Sequence, residues 1–111
     1  MILQIKPSDH AKEDIAIQMS WYERQAGEIV AARHEQALRC SFQTLAENPN
    51  AGRPRRFRAV ELAELKSFAA ASPFDKHLIF YRADDSGLMV ERVVHGVRDL
   101  ARRLREPPGS E

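Results

Sequence analysis

The chain has 111 residues, of which 43% are hydrophobic and 30% charged, with a formal net charge of +1 and one cysteine. A length below the roughly 150 residues of a common domain leaves room for one core, expected over residues 1–105, and the composition is that of a globular domain and not of a disordered tract. One cysteine excludes an internal disulfide, Cys40 and four histidines make no structural zinc site, and no signal-peptide core or membrane-length apolar run occurs, so a soluble cytoplasmic protein with no metal or cofactor is expected.

In chain order, Ile2 to Lys6 is a short β-prone run ended by Pro7, which cannot donate to a ladder. Ser8 is an N-cap for a helix in which Ala11, Ile15, Met19 and Tyr22 recur at helical spacing until Gly27, with Asp9, Glu13 and Asp14 near its start. A second helix starts at Glu28, carries Val30, Ala37, Leu38, Phe42 and Leu45, and ends near Asn48-Pro49; the short link predicts an antiparallel helical hairpin. Cys40 is read as a buried structural thiol of that helix, and His10 and His34 as surface histidines. Residues 48–58, with two prolines and four arginines, read as an exposed, stiffened connection. Glu64 to Ala70, Lys76 to Ala83 and Leu88 to His95 follow as strands, the last two joined through Asp84-Asp85-Ser86-Gly87. His77 to Tyr81 is apolar on both alternating faces, which requires a second cover opposite the hairpin: either a short helix over residues 99–105 or another protein. The tail 106–111 is expected to be disordered. The predicted fold is α+β: an N-terminal strand, a helical hairpin, three antiparallel strands and a short C-terminal helix, with a mostly antiparallel four-strand sheet.

Charge is uneven along the chain. Up to Gly52, five Lys and Arg stand against seven Asp and Glu, giving −2; from Arg53 onward, 12 stand against nine, giving +3. The excess gathers in Arg53, Arg55, Arg56 and Arg58 and in Arg98, Arg102, Arg103 and Arg105, the pattern of either an anionic partner's docking surface or a solvated arginine-rich face. Walker, GxGxxG, HExxH, CxxC and GxSxG motifs are absent, which removes the usual support for nucleotide, dinucleotide, zinc-protease and serine-hydrolase chemistry. His95 ends the last strand beside Arg98, Arg82 ends the neighbouring strand, and Lys66 lies on the one before. If these converge they would hold a phosphodiester; the plainer reading makes Arg98 and Asp99 an ion pair and His95 a cap on the sheet.

The ordered set Asn48-Pro49-x-x-Gly52-Arg53, Leu65-Lys66-Ser67-Phe68, His77-x-Ile79-x-Tyr81-Arg82 and Val93-Val94-His95-Gly96-x-Arg98-Asp99-Leu100 resembles the ParE/RelE superfamily of type II toxin–antitoxin toxins, also called plasmid stabilisation proteins, from about Leu3 to Leu104. The resemblance implies a growth-inhibiting toxin held in a hetero-oligomer with a cognate antitoxin. RelE-like members cut mRNA on the ribosome, whereas ParE-like members inhibit DNA gyrase without cleaving nucleic acid. After Arg98 this chain has only arginines where the nucleases place a Tyr, His or Lys, and arginine does not exchange protons near neutral pH. RNA cleavage needs a proton acceptor and a proton donor, for which His95 is the one obvious candidate and Tyr81 a distant second, so the ParE-like branch is favoured. In that reading the eight clustered arginines meet an acidic target surface, and Ile17 and Trp21, one turn apart and off the stripe of Ile15, Met19 and Tyr22, meet the antitoxin; the competing reading packs them inside the domain. The alternatives are a ribosome-dependent endoribonuclease using His95, Arg82, Arg98, Lys66 and Tyr81, or a relative that binds antitoxin without being toxic.

Overall fold

The computed structural model describes residues 2–96 and 100–109. The first strand, β1 (Ile5–Pro7), ends at the proline as expected. Ser8 caps helix α1 (Asp9–Ala26), its hydroxyl oxygen accepting from the Ala11 N–H at 3.0 Å while the hydroxyl donates to the Glu91 carbonyl at 2.7 Å. Gly27 alone separates α1 from α2 (Glu28–Glu47), at φ 91°, a left-handed backbone that glycine adopts without a Cβ penalty. This single-residue link forces the hairpin.

Among the described residues, five strands form the sheet, in the order β1-β5-β4-β3-β2. The strands β3 (Lys66–Ala69), β4 (His77–Asp84) and β5 (Gly87–His95) pair antiparallel, and β1 joins β5 in parallel. The expected four strands become five because Arg53–Pro54, assigned to an open connection, forms a two-residue edge strand, β2, against β3. Proline is tolerated there because an edge needs no second ladder partner.

The two faces of the sheet carry separate cores. Against the hairpin lie Ile79, Tyr81, Leu88, Val90 and Val93, meeting Ala11, Ala37, Leu38 and Leu45. On the other face, Phe80 and Val94 pack with Leu62, Leu65 and Leu104, flanked by Phe57 and Leu100. The required second cover is thus helix α3 (Leu100–Arg105) together with the segment 57–65, which includes a 3-10 turn at Val60–Leu62. Asp99, predicted as the start of that helix, lies outside the described residues. No helix among the described residues is long and apolar enough to cross a membrane.

Two expectations for α2 are corrected. Its buried positions Ala31, His34, Leu38, Ser41 and Leu45 form one stripe at spacings of three and four, and His34 belongs to it, with no surface exposed. Cys40 falls two residues past Leu38, about 200° around the helix, and is exposed.

A buried ion pair joins the two layers. The Arg92 guanidinium donates through Nε to Asp14 Oδ2 at 2.7 Å and through Nη2 to Asp14 Oδ1 at 3.0 Å, and the Val93 N–H donates to Oδ2 at 3.0 Å. Nη1 donates to the carbonyls of Arg103 and Leu104, both at 3.3 Å, and of Glu106 at 2.7 Å. Asp14 is therefore more than a charge near the start of the helix: α1, β5 and the end of α3 meet at one guanidinium. Removing one partner leaves a desolvated charge, so Arg92→Met should destabilise the fold by about 3–5 kcal/mol in urea unfolding. Arg92→Met combined with Asp14→Leu should cost clearly less than the sum of the single changes.

Candidate functional site

The arginine loop is held by a buried tyrosine. Tyr81 is fully buried, its hydroxyl donating to the Pro49 carbonyl at 2.8 Å and accepting from the Gly52 N–H at 2.9 Å. Burial raises its pKa, an effect partly offset by the Gly52 hydrogen bond. A Cβ at Gly52 would fall against the Tyr81 ring and hydroxyl, which explains glycine at this close approach. Further along, the Arg55 N–H donates to the Leu65 carbonyl at 2.9 Å, Arg55 Nε donates to Ser67 Oγ at 2.7 Å, and Phe57 packs into the second core.

These anchors divide the eight clustered arginines. Arg53, Arg56 and Arg58 are exposed, and their side chains have no ion-pair or hydrogen-bond partner among the described residues. Arg55 is committed to Ser67. On α3, Arg102 pairs with Glu106 at 3.2 Å, Arg105 with Glu61 at 3.1 Å, and Arg103 donates to the His95 carbonyl at 2.7 Å. Arg98 lies outside the described residues. Val60, two residues beyond Arg58, is 87% exposed.

Among the described residues, the groups considered for phosphodiester chemistry, His95, Arg82, Lys66 and Tyr81, are not brought together. His95 pairs with His77 at one end of β4, whereas Lys66 pairs with Tyr81 near the other. Five residues, roughly 16 Å of strand, separate His77 from Arg82. Arg82 shares the face of Phe80, donating to the carbonyls of Ala63 and Glu61 on the α3 side. Lys66 shares the opposite face with Phe68, its ammonium donating to Asn50 Oδ1 at 3.1 Å. Tyr81, as described, is locked in the core.

His95 instead belongs to a stack that sequence spacing did not reveal. Its ring centroid lies 4.8 Å from that of His77, which lies 4.7 Å from that of His34. The Tyr22 hydroxyl and His77 Nε2 are 2.9 Å apart. Burial, helped by the neighbouring His34 and His95, lowers the His77 pKa to about 4; burial also lowers that of His34, against a smaller opposing effect of Glu35. The available signal was the position of His34 on the stripe of Ala31 and Leu38. Among the described residues no group of three or more His, Cys, Asp or Glu is placed to hold a metal.

Beside this stack, α1, the end of β5 and residues 106–109 enclose a cavity of about 500 Å³, with Ile17, Trp21, Val93, Val94, His95 and Pro107 in its walls. Ile17 and Trp21 are 43% and 51% exposed, outside both cores.

Because the folded state keeps His77 neutral, the unfolded chain takes up the proton first. Stability should be full above about pH 6.5, fall as pH drops towards 4, and be about 2 kcal/mol lower at pH 5 than at pH 7.5 from His77 alone. Urea titrations at the two pH values should read this loss, and His77→Gln should flatten it. Gly52→Ala should cost about 1–3 kcal/mol by overpacking against Tyr81, readable as a lowered Tm.

A search of curated proteins found no match. Among solved structures, the fold is similar to a chain of the chromosomal ParDE toxin–antitoxin system from P. aeruginosa, with a TM-score of 0.68 and 14% identity over 86% of this chain and 98% of that one. The family model described as the ParE toxin of the type II toxin–antitoxin system parDE matches residues 5–100. With that match running from β1 to the first residue of α3, the chain belongs to the ParE toxin family.

Proposed function

We propose that this chain is a toxin that inhibits DNA gyrase in the cytoplasm by binding it, and that a cognate antitoxin neutralises it. The observation that carries the reading is the set of unpaired guanidiniums of Arg53, Arg56 and Arg58, followed in the chain by the exposed Val60, on a connection with no acidic residue between Glu47 and Glu61. The Tyr81, Arg55 and Phe57 anchors hold the loop that carries these side chains, which lowers the backbone ordering cost of docking. Arginines around an apolar contact suit an acidic protein surface, where guanidiniums take carboxylates in bidentate fashion and the apolar residue sits in a desolvated centre. A phosphate backbone would make no use of Val60. The separation of His95 from Lys66 and Arg82 supports binding over RNA cleavage, since neither cation stands near the imidazole to stabilise a phosphorane. For the antitoxin, the exposed Ile17 and Trp21 on α1 are the proposed contacts.

The purified toxin should inhibit gyrase supercoiling and leave mRNA intact on ribosomes. Arg53→Glu, Arg56→Glu and Arg58→Glu together should raise the inhibitory concentration by roughly a hundredfold, while stability shifts by about 0.5 kcal/mol or less per site. Supercoiling that persists at high toxin concentration sinks the gyrase reading. Codon-specific mRNA cleavage lost in His95→Ala would replace it with ribosomal endonuclease activity.

A further inference from the structure

We propose that the cavity between α1 and residues 106–109 is a binding site for an uncharged, planar aromatic small molecule carrying a carbonyl group, with Trp21 as a wall for its ring and Arg103 as the donor to its carbonyl. The inference is independent of the gyrase and antitoxin readings. A volume of about 500 Å³ is within the range of small-molecule pockets, and Ile17, Trp21, Val93, Val94 and Pro107 give it mostly apolar walls. Trp21 is half exposed and outside both cores, so its indole has area left for a ring to cover.

Charge argues against an ion. Among the described residues, four charged side chains line the cavity, Asp14 and Glu106 against Arg92 and Arg103, and they sum to zero. Asp14 and Arg92 hold one another in a bidentate pair, and His77 is neutral at pH 7. An anion or a cation would give up its hydration with no net opposite charge to receive it, whereas an apolar ring gains by leaving water.

The walls keep hydrogen-bonding capacity that the fold does not use. Arg103 is half-buried and spends one Nη1 bond on the His95 carbonyl; its Nε and Nη2 have no partner among the described residues. A carbonyl oxygen is the neutral group that accepts from a guanidinium. Gln18 donates through Nε2 to the Val93 carbonyl at 2.8 Å, which leaves its Oε1 enclosed without a partner among the described residues, and Nδ1 of the buried His77 is in the same condition. Apolar area supplies affinity and a few polar atoms supply orientation, the mixed lining of an organic-ligand pocket. Arg92 Nη1 holds the Glu106 carbonyl at 2.7 Å, and a Cβ on Gly109 would lie 3.4 Å from Ile17 Cδ1. Residues 106–109 therefore run from β5 to α1 along the cavity, and a bound molecule would meet all three.

Trp21 is the one tryptophan of the chain, so its indole N–H gives a single resonance from the full-length, nitrogen-labelled protein. The probes are naphthamide, naphthalene and naphthoate: one ring system carrying a neutral carbonyl, no polar group, or a negative charge. Naphthamide should shift that resonance saturably, with a dissociation constant of roughly 1 mM or below. Naphthalene and naphthoate should each bind about fivefold more weakly, or less well still. Arg103→Ala should weaken naphthamide binding by about fivefold and leave naphthalene unchanged. Ile17→Glu, at an exposed position of α1, should weaken both by about tenfold or more. Circular dichroism of each variant checks that the fold persists. No saturable shift with naphthamide, or binding indifferent to Ile17→Glu, overturns the site. Naphthoate binding as tightly as naphthamide overturns the uncharged-ligand assignment, and naphthamide affinity untouched by Arg103→Ala overturns the carbonyl contact.

Discussion

The Arg92 guanidinium ties α1, β5 and the end of α3 to one another. It spends two donors on Asp14 and one on the carbonyls at the end of α3, so helix, strand and C-terminal turn share one charged group with less than a tenth of its surface exposed. Such a pair is held chiefly by the penalty for breaking it, since the desolvation of two charges offsets much of their attraction. Its value lies in geometry: a bidentate carboxylate fixes α1 against β5 in register, and the same group caps carbonyls that a six-residue helix could not satisfy internally.

The sheet then works as a partition. One face is committed to the hairpin and the other to α3 and the segment 57–65, so both sides of β4 are buried and its functional-looking residues become structural. Tyr81 holds a loop and Arg82 holds two carbonyls. His95 is left at the end of the sheet with His77 and far from either Lys66 or Arg82. A site for phosphoryl chemistry requires convergence within hydrogen-bond reach, and alternation along a pleated strand sends neighbours to opposite faces. Among the described residues, the exposed features include a loop of guanidiniums on one edge and an apolar groove along α1. These are the features of a molecule that binds.

The histidine stack exacts a cost in stability that the core repays. Among the described residues, neither ring nitrogen of the fully buried His34 has a hydrogen-bond partner, and His77 Nδ1 likewise has none. Rings of Tyr22 and Phe74 surround His34 at 4.8 and 5.3 Å between centroids, so the imidazole acts as an aromatic filler. A buried unpaired polar atom is costly, and the fold tolerates it where flat rings pack well. The neutral form is the one that fits, which ties the integrity of the hairpin tip to pH.

Sequence by itself determined the local punctuation. Ser8 starts α1, Gly27 ends it, Pro7 closes β1, and the Asp84 to Gly87 turn joins β4 to β5, because each depends on the backbone preferences of one or two residues. The demand for a second cover over His77 to Tyr81 was also readable, since a strand apolar on both faces has to be covered twice. The tertiary structure alone decided which residues would meet: Asp14 with Arg92, 78 positions apart, Tyr81 with Gly52, and Arg53–Pro54 with β3. It alone sorted the arginines into paired and unpaired. Periodicity states that a helix has an apolar face; where that face comes to rest, and which distant charge it must neutralise, is settled only when the layers close on one another and exclude water.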